Sequence, residues 1–209
     1  MQTSRFWPFV AAMSVVVVAS NFLVQFPVRL FGLGEVLTWG AFTYPFAFLV
    51  NDLTNRRFGP HAARKVVIVG FAFAVLVSIW LATPRIAIAS GSAFLLAQFL
   101  DVFVFDRLRR QVWWRAPFVA AVLGSILDTV VFFSLAFAPA FAGLDTAFGL
   151  EDGSLGFPAS LLGIAVPLWM SLAAGDFGVK MLMSVVMLVP YRAVLSTLMP
   201  QDLGRRQPG

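Results

Sequence analysis

The stretch APFVAAVLGSILDTVVFFSLAF, residues 116–137, holds a single charge, Asp128, in 22 positions. A helix that crosses the hydrocarbon core of a bilayer needs about 20 mostly apolar residues, so this run reads as a membrane span. Working outward, the same reading gives Phe6–Phe26, Leu33–Val50, Val66–Ala82, Ile86–Phe105 and roughly Val166–Val189. The expectation is an all-α integral membrane protein of six transmembrane helices. One bundle occupies residues 1–209, with short disordered tails at 1–5 and 201–209. Composition agrees: 60% of residues are hydrophobic and 12% charged, against about 25% charged in a soluble domain. A soluble core could not hide 23 Phe and 6 Trp under so few charges. Arg5 before an apolar run ending at Ala19 and Ser20 resembles a signal peptide. Phe22, Leu23 and Val24 continue the run, which favours retention as a first span.

The loops set the expected topology. Residues 51–65 carry Arg56, Arg57, Arg64 and Lys65, residues 106–115 carry Arg107, Arg109, Arg110 and Arg115, and the tail adds Arg192, Arg205 and Arg206. The alternate loops hold only Arg29 and Arg85, and residues 138–165 are acidic, with Asp145, Glu151 and Asp152. Six spans with both termini in the cytoplasm place every basic cluster inside. The net charge of +5 therefore belongs to loops that face anionic headgroups, not to a nucleic-acid surface. Residues 153–167 lie between Gly153 and Pro167 and are too short to span; they are expected to be interfacial or a half-helix.

Cysteine is absent and His61 is the single histidine. Thiol nucleophiles, thiolate metal sites and Ser–His mechanisms lack their parts. No enzyme, cofactor or metal centre is expected. An aspartyl protease built on Asp101 and Asp128 lacks the usual sequence settings.

Charges inside spans carry the functional reading, because a carboxylate at the bilayer centre costs about 2.5–3.5 kcal/mol or more. Asp128 lies 12 residues past Ala116, about 18 Å along a helix and close to mid-membrane. Asp101 lies nearer the cytoplasmic face, with Gln98 one turn earlier; Ser125 stands one turn before Asp128. Asp176 and Lys180 are four apart and positioned to pair. Asn21 sits near the end of the first span and Asp52 ends the second. Leu100–Phe105 echoes Leu127–Phe132, and the two copies run in opposite directions, as inverted elements around a transport site do. Carboxylates, a carboxamide and aromatic walls suit a small planar solute rich in N–H donors, such as a guanine-like base.

Four motifs then resemble a known family: PFAFLVNDLTNRRFG at 45–59, AQFLDVFVF at 97–105, GSILDT at 124–129, and Val179-Lys180 followed by Pro190-Tyr191. Together they resemble the queuosine-precursor transporters, also called the vitamin uptake transporter family, over about residues 21–191. The resemblance implies six helices in the bacterial cytoplasmic membrane. It also implies import of 7-cyano-7-deazaguanine or a close relative by alternating access. The positions it carries over are Asn21, Asp52, Gln98, Asp101, Asp128 and Lys180. Ser125 stands where Gln is usual and Asn55 where Glu is common; Phe42 or Tyr44 is placed to stack on the base. The expected partners are this 7-deazapurine base and the lipid bilayer, and a homo-oligomer is compatible with this reading. The alternative is the substrate-binding subunit of an energy-coupling-factor importer, which would need partner ATPases because the chain has no phosphate-binding loop of its own.

Overall fold

A computed structural model describes residues 6–23, 26, 28, 39–161 and 163–199; the two expected disordered tails lie outside them. Among these residues the chain is almost wholly helical. The elements are α1 (Trp7–Leu23), α2 (Gly40–Thr43), α3 (Pro45–Phe58), α4 (Pro60–Leu81), α5 (Pro84–Leu108), α6 (Arg115–Phe137), α7 (Gly143–Ala147), α8 (Leu168–Val186) and α9 (Leu188–Leu198). A 3-10 turn, Pro139–Phe141, follows α6.

Proline sets several boundaries. Pro45, Pro60 and Pro84 each open a helix, where a missing N–H costs nothing and the fixed φ suits the first turn. Gly59 ends α3 at φ +85°, a left-handed backbone that glycine adopts without steric cost. Thr83 caps α5 by accepting from the Ile86 N–H. Pro45 and Pro190 also bend longer paths. Neither can donate to the carbonyl four residues back, so α2 gives way to α3 at Tyr44 and α8 to α9 at Met187.

Four stretches are long and apolar enough to cross a membrane: Pro60–Ser78, Pro84–Leu108, Arg115–Phe137 and Leu168–Thr197; α1 is a shorter apolar helix. The surface is inverted relative to a soluble protein. Trp80 is 87% exposed and Val130 58%, while Asn51, Gln98 and Asp101 are each 0% exposed. Only an apolar solvent suits that arrangement.

Short turns make α4, α5 and α6 antiparallel neighbours. The most extensive contact is between α5 and α6, whose buried residues include Ala89, Ala93 and Ala97 on one helix and Ala116, Ala120 and Gly124 on the other. Such small side chains let membrane helices approach closely. One apolar core joins α1, α3, α4 and α5 through Met13, Ala47, Val66 and Phe94. A second joins α3, α5, α6 and α9 through Leu53, Phe105, Ala120 and Leu195.

Three expectations need correction. Residues 51–65 are not a loop: α3 continues to Phe58 and α4 starts at Pro60. The polar residues that suggested a loop, Asn51, Asp52, Thr54 and Asn55, are buried against neighbouring helices. Residues 153–167 are not a half-helix. They contain an antiparallel hairpin of β1 (Pro158–Leu161) and β2 (Ile164–Pro167), pairing Leu161 with Ile164 and Pro158 with Pro167, with Gly163 at φ +84° in the turn. The last helix accordingly starts at Leu168, after the expected Val166, and Arg192 lies on α9 instead of in a tail.

Candidate functional site

The buried polar residues form two groups around α3. In the first, Lys180 of α8 reaches Asp128 Oδ2 of α6 at 2.6 Å and Asp176 Oδ2, one turn back on its own helix, at 2.5 Å. Tyr44 donates its hydroxyl to Asp128 Oδ1 at 3.0 Å, and Thr129 donates to Asp176 Oδ2 at 3.1 Å. The ammonium also lies 5.8 Å from the centre of the Tyr44 ring, within cation–π range. The expected pairing of Asp176 with Lys180 is present, and Asp128 joins it from 52 residues away. Burial makes this arrangement consequential: one cation serves two carboxylates, so removing it strands buried negative charge.

In the second group, Asn51 of α3 donates through Nδ2 to Asp101 Oδ2 of α5 at 2.8 Å and to the Gln98 carbonyl at 3.3 Å. Asn55, one turn on, donates to the Val102 carbonyl at 3.0 Å. Asp52, the next residue on α3, adds a second buried carboxyl to this group. Several atoms here have no hydrogen-bond partner among the described residues: both side-chain atoms of Gln98, and Oδ1 of Asn51, Asp52, Asn55 and Asp101.

Between α3, α6, α8 and α9 lies a cavity of about 20 Å³ whose polar lining is Asp52, Ser125, Lys180, Ser184 and Tyr191, with Phe48 as an aromatic wall. That volume holds a water or two and no purine, so the site is closed in this conformation.

The structure thus brings together Tyr44, Asp128 and Lys180, and places Ser125 and Asp52 on the cavity beside them. Gln98 and Asp101 face Asn51 across the α3–α5 contact instead. Asn21 joins neither group; its side chain donates to the Val17 carbonyl of its own helix at 3.0 Å. The two copies of the internal echo do run antiparallel, and each carboxylate meets a different helix: Asp101 meets α3, Asp128 meets α8.

Sequence reading missed Asn51 and Thr129, although each adjoins a residue it singled out. It also missed a buried network at the opposite end of the bundle from Arg56. Arg85, 1% exposed, pairs with Asp145 at 2.6 Å and Asp152 at 3.5 Å, and donates to the carbonyls of Leu135 and Ala138. The Arg85 guanidinium, with the Gly153 N–H, holds the Asp145 carboxyl below the usual carboxylate range. Asp152 is lowered too, chiefly by the hydroxyl and N–H of Ser154. At the other end, Arg56 donates to the Tyr191 hydroxyl and to the carbonyls of Arg109 and Trp113, at 2.9, 2.7 and 3.3 Å. These charges looked like loop charges because their partners are distant in sequence.

Comparison with known proteins fits this architecture. A family model described as "Putative vitamin uptake transporter" matches residues 38–83 and 74–194. The chain is 35% identical over 210 residues to the queuosine precursor transporter of Escherichia coli, covering 90% of this chain and 85% of that protein. It is 39% identical over 153 residues to a probable queuosine precursor transporter of Haemophilus influenzae, covering 58% and 65%. A third relative with that name, from Bacillus subtilis, is 25% identical over 213 residues, covering 88% and 82%. These names do not favour the energy-coupling-factor reading. No solved structure matches. With motifs, apolar helices and relatives in agreement, this multi-pass membrane protein belongs to the vitamin uptake transporter family, a family of transporters and not of enzymes.

Proposed function

We infer that the protein imports a queuosine precursor, a 7-deazaguanine such as 7-cyano-7-deazaguanine, across the bacterial cytoplasmic membrane. In this reading α1, α2 with α3, α4, α5, α6 and α8 with α9 are six spans, and both termini face the cytoplasm. The observation that carries it is the buried Tyr44–Asp128–Lys180–Asp176 cluster beside a closed cavity. A guanine-like base offers N–H beside NH₂, two parallel donors that match one carboxylate. Asp128 already spends both oxygens on Tyr44 and Lys180, so the base binds by displacing one of them. Ser125 and Asp52 add acceptors on the cavity wall, and Phe48 or Tyr44 supplies a ring for stacking.

The small cavity supports alternating access as the mechanism: the base would enter by α3 and α8–α9 parting from α6 at one end and leave by their parting at the other. Gln98 and Asp101, expected from sequence to meet the base, stand off the cavity and are not assigned to base contact.

The test is uptake of labelled precursor in cells expressing Asp128→Asn. Losing a hydrogen bond to a charged group costs about 1.5–3 kcal/mol, so uptake should fall about tenfold or more while the protein still elutes as a folded species. Uptake equal to that of the parent protein would remove Asp128 from the site.

A further inference from the structure

The second polar group has no task in base recognition, and its chemistry is distinctive. Asp52 is 3% exposed, and Asn51, Gln98 and Asp101 are each 0% exposed. Two buried carboxyl groups belong to this group, each with an oxygen that has no partner among the described residues. Two bare carboxylates so buried repel, and burial strengthens the repulsion. No salt bridge reaches either carboxyl among the described residues. Arg56, one turn beyond Asp52, spends its donors on Tyr191 and on two backbone carbonyls. Independently of the two acids, the Asn51 carboxamide that grips Asp101 Oδ2 leaves its own oxygen unpartnered, and so does the whole Gln98 carboxamide one turn from Asp101. The group therefore has more acceptor oxygens than donors to satisfy them.

Position links this group to the solute path. Asp52 lines the cavity and Asp101 does not, so the pair reaches from the cavity wall to the interior of the α3–α5 contact. The other titratable groups around it are few. Lys180 of α8 and Tyr191 of α9 line the same cavity, and the Tyr44 hydroxyl is donated to Asp128. Arg109, at the end of α5, donates to the Asn55 carbonyl. Helices α1 and α2 offer no titratable side chain, and those of α4, His61, Arg64 and Lys65, are exposed.

We propose that the Asp52–Asp101 pair is a proton-binding site that couples proton entry to solute uptake, with Asp52 as the member that senses the cavity. The proton binds from the outside as the solute loads and leaves to the cytoplasm as the solute is released. Asn51 holds Asp101 in place as a positioning residue. This rests on the transport reading above.

The test uses purified full-length protein in proteoliposomes, with labelled 7-cyano-7-deazaguanine as the probe and a trapped pH dye. In the wild type, an outside-acid gradient should drive accumulation above equilibrium, and entry of the base should acidify the lumen. Asp101→Asn puts a carboxamide of the same shape in place of the carboxyl, so it should retain exchange of base for base and lose both gradient-driven accumulation and lumen acidification. If wild-type vesicles exchange the base but ignore the pH gradient and move no proton, the proposal falls and the transport reading stands. Accumulation driven by a sodium gradient in place of protons also overturns it. A folded, monodisperse Asp101→Asn that loses exchange together with accumulation would make Asp101 a base ligand instead. Should that variant fail to fold, lumen acidification in the wild type decides alone. Absence of any exchange in the wild type sinks both readings.

Discussion

Arg85 shows how a residue can be misread when only its neighbours in sequence are considered. It stands beside Thr83 and Pro84 and looks like a solvated loop charge, yet it is 1% exposed and tied to Asp145, 60 positions away. Removing one partner of a buried pair strands the other charge, at a cost of about 3–5 kcal/mol. Arg85→Ala should therefore lower the melting temperature of detergent-purified protein markedly, read by tryptophan fluorescence. The pair also gives a pH dependence whose sign is fixed. Asp145 is held below its ordinary value, so its contribution to stability is complete above the unfolded carboxylate value of about 3.9. That contribution drains away as pH falls through the lower folded value. An acid limb below about pH 4 in the parent, shallower in Asp145→Asn, is the expected pair of curves; superimposable limbs would remove Asp145 from the acid response. The same non-local logic governs Tyr44 and Asp128, 84 positions apart. Asp128 was legible as a candidate site residue because a carboxylate in the middle of 116–137 has no cheap structural explanation. Its partners were not, because nothing local announces them.

Among the elements, α5 and α6 were readable nearly to their ends and α4 at its C-terminal end, since their apolar runs are long. Helix α3 was not. Hydropathy falls at Asn51–Asn55 because those side chains face α5 and the cavity, and an inward polar face looks in sequence like a loop. The hairpin at 158–167 was also hidden, because two four-residue strands carry little period. Element packing turns on Gly124, where α6 passes Phe48 of α3. A methyl added there would lie 2.8 Å from the Phe48 ring and 3.4 Å from the Ala97 carbonyl oxygen. Helix propensity favours alanine over glycine by about 1 kcal/mol, whereas overpacking a filled core costs about 1–3 kcal/mol. Phe48 is 4% exposed and its ring can give way only toward the small cavity it walls, so overpacking wins. Gly124→Ala should destabilise the protein and impair uptake, since Phe48 also walls the cavity. Phe48→Leu in the same chain should recover most of the melting temperature, whereas additive losses in the double variant would show that the two side chains do not meet.

At the scale of the whole molecule, two arginines fasten opposite ends of one bundle around a cavity too small for a purine. Arg85 ties the start of α5 to the end of α6 and the acidic segment beyond it. Arg56 ties the end of α3 to α9 and to the turn between α5 and α6. Under the proposed alternating access these fastenings open at different times, because opening both would leave a continuous leak. The chain contains no cysteine, so a single introduced thiol reports its own position without background. Arg110→Cys and Glu151→Cys, both at exposed positions, calibrate the two faces: with both termini in the cytoplasm, an impermeant maleimide should label the first only from inside and the second only from outside. Ser125→Cys then reads the cavity, where the native side chain is 3% exposed. Its labelling should be slow in the parent. Adding Arg56→Ala, which frees α3 from Tyr191 and from the Arg109 and Trp113 carbonyls, should make labelling from the cytoplasmic face faster. The precursor, occupying the same cavity, should slow it again. Faster labelling from that face after Arg85→Ala, with no response to Arg56→Ala, would place the inner gate elsewhere and leave Arg56 a fastening with no part in the transport cycle.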